Sequence, residues 1–237
     1  MTVSKNIVVV GGTRGIGRDI VRRRIEAGDS VTVLSRSDAG LEELAAGLVQ
    51  HISCDVTTDD VDSITLSDRV DGLVYCPGSI NLRSFTSLKP QQFRDDFELN
   101  VLGAVRCIQA ASKALKASSA ASIVLFSTVA VQQGMFAHAS IAAAKGAIEG
   151  LTRTLAAELA PSVRVNCLAP ALTETSLTER FFSTPDKAAA LAEKYPMGRT
   201  GKPSDLGAMA SFLLSDESSW MTGQVIGVDG GMSSLRR

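Results

Sequence analysis

The chain has 237 residues, 45% hydrophobic and 21% charged, which is long enough to bury a full core within one α/β domain. Its formal net charge of -1 gives no global field for holding nucleic acid or an anionic membrane, so the composition points to a small-molecule role. Cys54, Cys76, Cys107 and Cys167 lie far apart, with no C-x-x-C pair and no histidine at zinc-ligand spacing; neither a disulfide framework nor a metal site is expected.

In chain order, "MTVSKNIVVVGG" opens with an apolar run too short for a secretory signal, and no other run approaches the roughly 18 residues of a membrane span. A cytoplasmic protein with free thiols is expected. "NIVVVGG" reads as the first strand, followed by helical apolar spacing from Ile16 to Ala27. "SVTVLSR" is a second strand and "HISCDVTTDD" holds a short third, after which "VDSITLSDRV" is too short and too rich in Ser and Asp for a full crossover helix. A truncated helix is expected there. Next come a strand in "GLVYCPG", helical spacing from Gln91 to Ala117, a strand in "SIVLFST", a helix from Ser140 to Leu159 and a strand in "VRVNCLAP".

From Thr173 to Thr200 the pattern loosens into an excursion that reads as a substrate lid. Thr184, Pro185 and Asp186 suit a helix start inside it, and Phe181 and Phe182 suggest an apolar cover. A helix from Ser204 to Leu214 and a strand in "GQVIGVDGG" complete the chain. Strands apolar on both faces belong in a parallel sheet with helices on each side, and the βαβα order predicts a doubly wound Rossmann domain over residues 1–237 with about seven strands.

The first strand runs into "GGTRGIG", where Gly11, Gly15 and Gly17 allow a sharp turn and a close approach to a pyrophosphate at the helix N-terminus. The plain alternative is a strand-to-helix turn that needs left-handed backbone. Where the second strand ends, an NAD site would place an acid for the ribose 2′-hydroxyl; here stand Ser35 and Arg36, with Arg14 inside the glycine loop. Two guanidinium groups favour a 2′-phosphate, hence NADP(H) over NAD(H), unless Arg36 is only a solvated charge.

From the first strand to the C-terminus the sequence resembles the short-chain dehydrogenase/reductase family. The glycine loop is similar to Thr-Gly-x-x-x-Gly-x-Gly, with Val10 in place of the Thr; Asp55 matches an adenine-contacting Asp, and in "YCPG" only Gly78 agrees with Asn-Asn-Ala-Gly. Asn100 in "ELNVLG" matches the active-site Asn, and Thr128 in "IVLFSTVA" stands at the catalytic Ser. "NCLAPALTET" resembles Asn-x-x-x-Pro-Gly-x-x-x-Thr, with Pro170 and Thr175 kept and Ala171 for the Gly. The resemblance thereby implies a cofactor site that also includes Thr13, Ile16, Val56 and Lys145, a carbonyl or alcohol as substrate, and a dimer or tetramer.

The family's Tyr-x-x-x-Lys falls on "IAAAK", so Lys145 is kept and Ile141 occupies the place of the proton-donating tyrosine. A general acid is typically worth about 10²–10⁴-fold, so its loss is severe without abolishing hydride positioning. On a helix, Ile141 shares a face with Ile148, Leu155 and Leu159, and the simple reading is a core stripe. His138, Thr128 and Tyr195 are the candidates to replace the phenol, His138 because imidazole changes charge near neutrality. Three functions stay open: an NADP-dependent oxidoreductase with a replaced donor, a nucleotide-binding sensor or partner subunit without turnover, and a methyl-transferring Rossmann protein. The last is disfavoured by the absence of an acid after the second strand.

Overall fold

Alternation along the first strand sets the layering. In "NIVVV" Ile7 and Val9 point to one side of a sheet and Val8 and Val10 to the other, so each side needs its own helices. A computed structural model describes residues 4–44 and 47–235 and carries this out. Seven parallel strands, β1 (Asn6–Val10), β2 (Ser30–Ser35), β3 (Val49–Ser53), β4 (Gly72–Tyr75), β5 (Ala121–Phe126), β6 (Val163–Pro170) and β7 (Val225–Val228), lie in the order β3-β2-β1-β4-β5-β6-β7.

The helices are α1 (Gly15–Glu26), α2 (Pro90–Phe97), α3 (Gly103–Lys116), α4 (Ala130–Gln133), α5 (Ala139–Leu159), α6 (Pro185–Ala192) and α7 (Pro203–Leu214). Ile7 and Val9 pack with Ile20 and Val21 of α1 and Leu206 and Ala210 of α7. Val8 and Val10 pack with Ala104 and Ile108 of α3 and Ile148 of α5. This is a single doubly wound Rossmann-like α/β domain.

One element differs from the periodicity and one expected irregularity is found. The single helix expected from Gln91 to Ala117 is interrupted by a π turn, Glu98–Leu102, in which the Gly103 N–H reaches back to the Glu98 carbonyl. Apolar spacing does not register one extra residue in a turn. The segment "VDSITLSDRV" keeps only the 3-10 turn Val61–Ser63, so the truncation expected there is found.

Between β6 and α7 the chain makes the expected excursion, with a 3-10 turn at Glu179–Phe182 and then α6, whose start is capped where the sequence places it: the Thr184 hydroxyl accepts from the Lys187 N–H at 3.3 Å. Thr173 and Gly201 pair across the base of the excursion, so it leaves and returns at one point. Among the described residues no helix is long and apolar enough to cross a membrane.

Candidate active site

The strand order reverses between β1 and β4, so the loops leaving their carboxyl ends diverge and open a crevice. A cleft of about 470 Å³ lies there. Its walls include Gly11, Thr13, Arg14, Gly15, Ile16 and Gly17 after β1, and Ser35 and Arg36 after β2. Asp55 and Val56 after β3, Gly78 after β4, and Thr175 after β6 join them, whereas Asn100, Lys145 and Pro170, also expected at the cofactor, do not line this cleft.

The glycines fit by close approach. A Cβ on Gly17 would lie 2.2 Å from the Gly11 carbonyl oxygen, and one on Gly15 would lie 3.1 Å from Thr175 Cγ2 while its φ is +51°. Behind them α1 begins at Arg14 with no side-chain cap and no acid in its first turn, so its N–H groups and positive dipole end face the cleft unneutralised.

At the β2 end of the cleft Arg14 and Arg36 are exposed, and their guanidinium groups form no hydrogen bond or ion pair among the described residues. Arg18, by contrast, is fixed to the Gly40 carbonyl at 2.7 Å and Glu43 at 2.6 Å. The Ser35 hydroxyl donates to the Ser37 carbonyl at 2.8 Å; His51 Nε2, 3.1 Å from the Ser35 carbonyl, must carry the hydrogen and also meets the Ser35 hydroxyl at 3.0 Å. Thr57 donates through both hydroxyl and N–H to Asp55, holding that carboxyl below its ordinary range, with Arg36 adding attraction.

A second cavity, about 360 Å³, shares Ile16, Cys76, Gly78, Thr175 and Leu177 with the first, so the two are continuous. Thr128, His138, Ile141, Lys145 and Pro170 line it. Lys145 is buried, its Nζ makes no hydrogen bond or ion pair among the described residues, and burial pushes its pKa down to about 8. Asn100 borders neither cavity directly. It is fully buried in the π turn, donates to Ser79 Oγ at 2.9 Å and the Asp96 carbonyl at 2.8 Å, and has no partner for Oδ1. A Cβ on Gly78 would sit 3.3 Å from that Oδ1 and 3.5 Å from Lys145 Nζ, so the missing side chain keeps the two groups open to one space.

His138 stands at the start of α5 with Nδ1 2.7 Å from the Phe136 carbonyl, and the Thr128 hydroxyl accepts from the Ala130 N–H at 3.3 Å while its own hydrogen stays free. Ile141 corrects the simple reading of its helix face: it is 5% exposed, yet it belongs to neither core cluster and instead walls the second cavity. Phe181 lines that cavity and Phe182 does not, because the 3-10 turn directs the two consecutive side chains apart. Tyr195 also lines it, but its hydroxyl accepts from the Leu172 N–H at 3.2 Å, and burial raises its pKa.

Three residues escape sequence reading. Asp96 is 1% exposed and takes hydrogen bonds from Ser79 at 2.5 Å and Asn81 at 2.7 Å, forming with Asn100 a buried polar cluster beside Lys145. His51 anchors Ser35 from β3. A polar residue at a buried helical position is the only sequence signal for Asp96, one turn before Asn100, and nothing local marks Ser79 or His51.

The family model described as enoyl-(acyl carrier protein) reductase matches residues 10–233. The chain is 33% identical to a tropinone reductase homolog of Arabidopsis thaliana, over 97% of this chain and 92% of that protein. It is also 33% identical to a 3alpha-hydroxysteroid dehydrogenase of Mediterraneibacter gnavus, over 99% of each. Pseudomonas aeruginosa RhlG, solved as an active-site complex with NADP, superposes with a TM-score of 0.89 at 28% identity, covering 98% of both chains. Fold, cleft and full-length relatives agree, and the chain belongs to the short-chain dehydrogenase/reductase family of oxidoreductases.

Proposed function

We propose that the protein is an NADP-dependent oxidoreductase interconverting a carbonyl compound and its alcohol, with the family's proton-donating tyrosine replaced. The observation that carries this reading is the cleft's charge layout: free guanidinium groups of Arg14 and Arg36 at one end, and the unpaired Lys145 ammonium where the two cavities join. The nicotinamide cofactor supplies the hydride when bound. It suits the residues present, because the glycine cradle at Gly11, Gly15 and Gly17 would be filled by any side chain and the orphaned Asn100 Oδ1 awaits a donor.

In this reading Thr13, Ile16, Val56, Gly78 and Pro170 shape the walls, and Asp55 holds the adenine end. Arg14 and Arg36 pair with the 2′-phosphate beside Ser35. Thr175 closes the cleft opposite Gly15, Lys145 donates to ribose hydroxyls, and Asn100 orients it. Thr128 donates to the substrate oxygen, and His138 in its imidazolium form, with Nδ1–H held by the Phe136 carbonyl, delivers from Nε2 the proton that a phenol would otherwise provide. Residues 173–200 serve as the lid.

The chain works as a dimer or tetramer in the cytoplasm. Exposed Phe97 and Leu102 beside the small-residue faces of α3 and α5 support self-association, and the four free cysteines suit a reducing compartment. The apolar Ile141 in the cavity wall also favours a second reading, nucleotide binding without turnover.

Fluorescence titration with NADPH and NADH, then NADPH oxidation across aldehydes and ketones with Ile141→Tyr alongside, separates these. Tighter NADPH binding with turnover supports the first reading, and a large gain in the tyrosine variant identifies the missing acid. NADPH binding with no turnover in either protein supports the second.

A further inference from the structure

The second cavity has a largely apolar lining, and its acidic Cys76 and Tyr195 are pushed by burial toward their neutral forms, which leaves only basic groups to carry charge. Leu82, Val129, Ile141, Leu172, Leu177 and Phe181 are among its apolar lining, and among the described residues no aspartate or glutamate lines it. Its basic groups are Lys145 on α5, His138 at that helix's N-cap, and Lys194, which follows α6 in the lid excursion. Lys194 is exposed and its ammonium forms no hydrogen bond or ion pair among the described residues; Lys187, within α6 itself, is tied to Ser183 at 3.1 Å and does not line the cavity. A cation at the mouth of an apolar pocket without a counter-charge is completed by an anionic ligand group, while the pocket rejects polar and cationic molecules by desolvation.

We infer that the substrate is an apolar aldehyde or ketone bearing a carboxylate, with Lys194 pairing that carboxylate at the cavity mouth. This rests on the oxidoreductase reading above. The carbonyl lies inward, near Thr128 and His138, and the hydrocarbon body fills the space that Ile141 and Phe181 line. Because Lys194 is solvated, its share of the affinity is modest, and its larger effect is the choice among ligands of equal length.

The test is calorimetric titration of the NADPH-saturated protein with octanoate, 1-octanol and octylammonium, three unreactive probes that differ only at the head group. Octanoate should bind about fivefold more tightly than octanol, and octylammonium more weakly than either. Lys194→Ala should bring octanoate down to octanol and leave octanol unchanged; Lys194→Glu should favour octylammonium; Lys187→Ala should change nothing. Equal affinity for octanoate and octanol, no binding of any probe, or octanoate binding indifferent to Lys194→Ala would overturn the inference. NADPH binding is recorded first and the probes are repeated on cofactor-free protein, so failure of the cofactor reading shows as absent NADPH binding whatever octanoate does.

Discussion

His138 Nδ1 lies 2.7 Å from the Phe136 carbonyl oxygen, and since a carbonyl only accepts, Nδ1 carries the hydrogen and Nε2 is left for the cavity. The turn that arranges this is strained, with Ala137 between them in left-handed backbone at φ 64°. If His138 supplies the proton, His138→Gln lowers turnover about 10²-fold or more and leaves NADPH affinity within twofold. Steady-state rates together with fluorescence titration check this, and an unchanged rate removes His138 from the mechanism.

Lys145 should make cofactor binding dependent on pH. Its pKa is pushed down from 10.5 to about 8 by burial, so the folded chain releases this proton earlier than the unfolded chain does. Between those values the unfolded state binds more protons, and the lysine's burial penalty, ~3 kcal/mol, applies fully below about 8 and is relieved as pH rises toward 10.5. NADPH affinity should run the other way, falling as pH rises through about 8, because the amine loses its charge. Lys145→Met should flatten both trends, read by denaturation and NADPH titration at pH 7 and 9.

Arg14 and Arg36 should decide between the two nicotinamide cofactors. Neither guanidinium has a hydrogen bond or ion pair among the described residues to lose, and Arg36 only attracts the Asp55 carboxylate without pairing with it, so Arg36→Ala and Arg14→Ala should leave thermal stability nearly unchanged while each weakens NADPH by about tenfold and NADH hardly at all. Paired titrations of both cofactors give the ratio.

Asp96 tests the buried cluster. Asp96→Ala leaves the half-buried Ser79 hydroxyl and Asn81 amide without their acceptor and opens a void at a buried position, and should cost about 2–4 kcal/mol by urea denaturation. Ser79→Ala removes one donor, leaves Asp96 held by Asn81, and should cost about 1 kcal/mol.

Much of this was legible because it depends on local chemistry. The β1 alternation from Ile7 to Val10, the glycines that admit backbone at Gly17 and Gly11, and the cap at Thr184 each follow from one residue type at one place. Ile141 was not legible in the same way. Helical period assigns a residue to a face, and one face of α5 is shared between the core at Ile148 and the cavity at Ile141, which only the packing of neighbouring loops separates. The Asp96–Ser79 bond joins residues 17 apart in different elements, and no spacing rule reaches that far.

The π turn at Glu98–Leu102 holds one residue more than an α-helix of the same rise, while α2 and α3 on either side keep their own faces. Shortening the chain by a single residue there would let the backbone close into ordinary helix without rotating either flank. The domain could then assemble its sheet and both hydrophobic layers as before, while Asn100 lost its station beside Lys145. Assembly and chemistry are thus written into separable stretches of the same continuous rod.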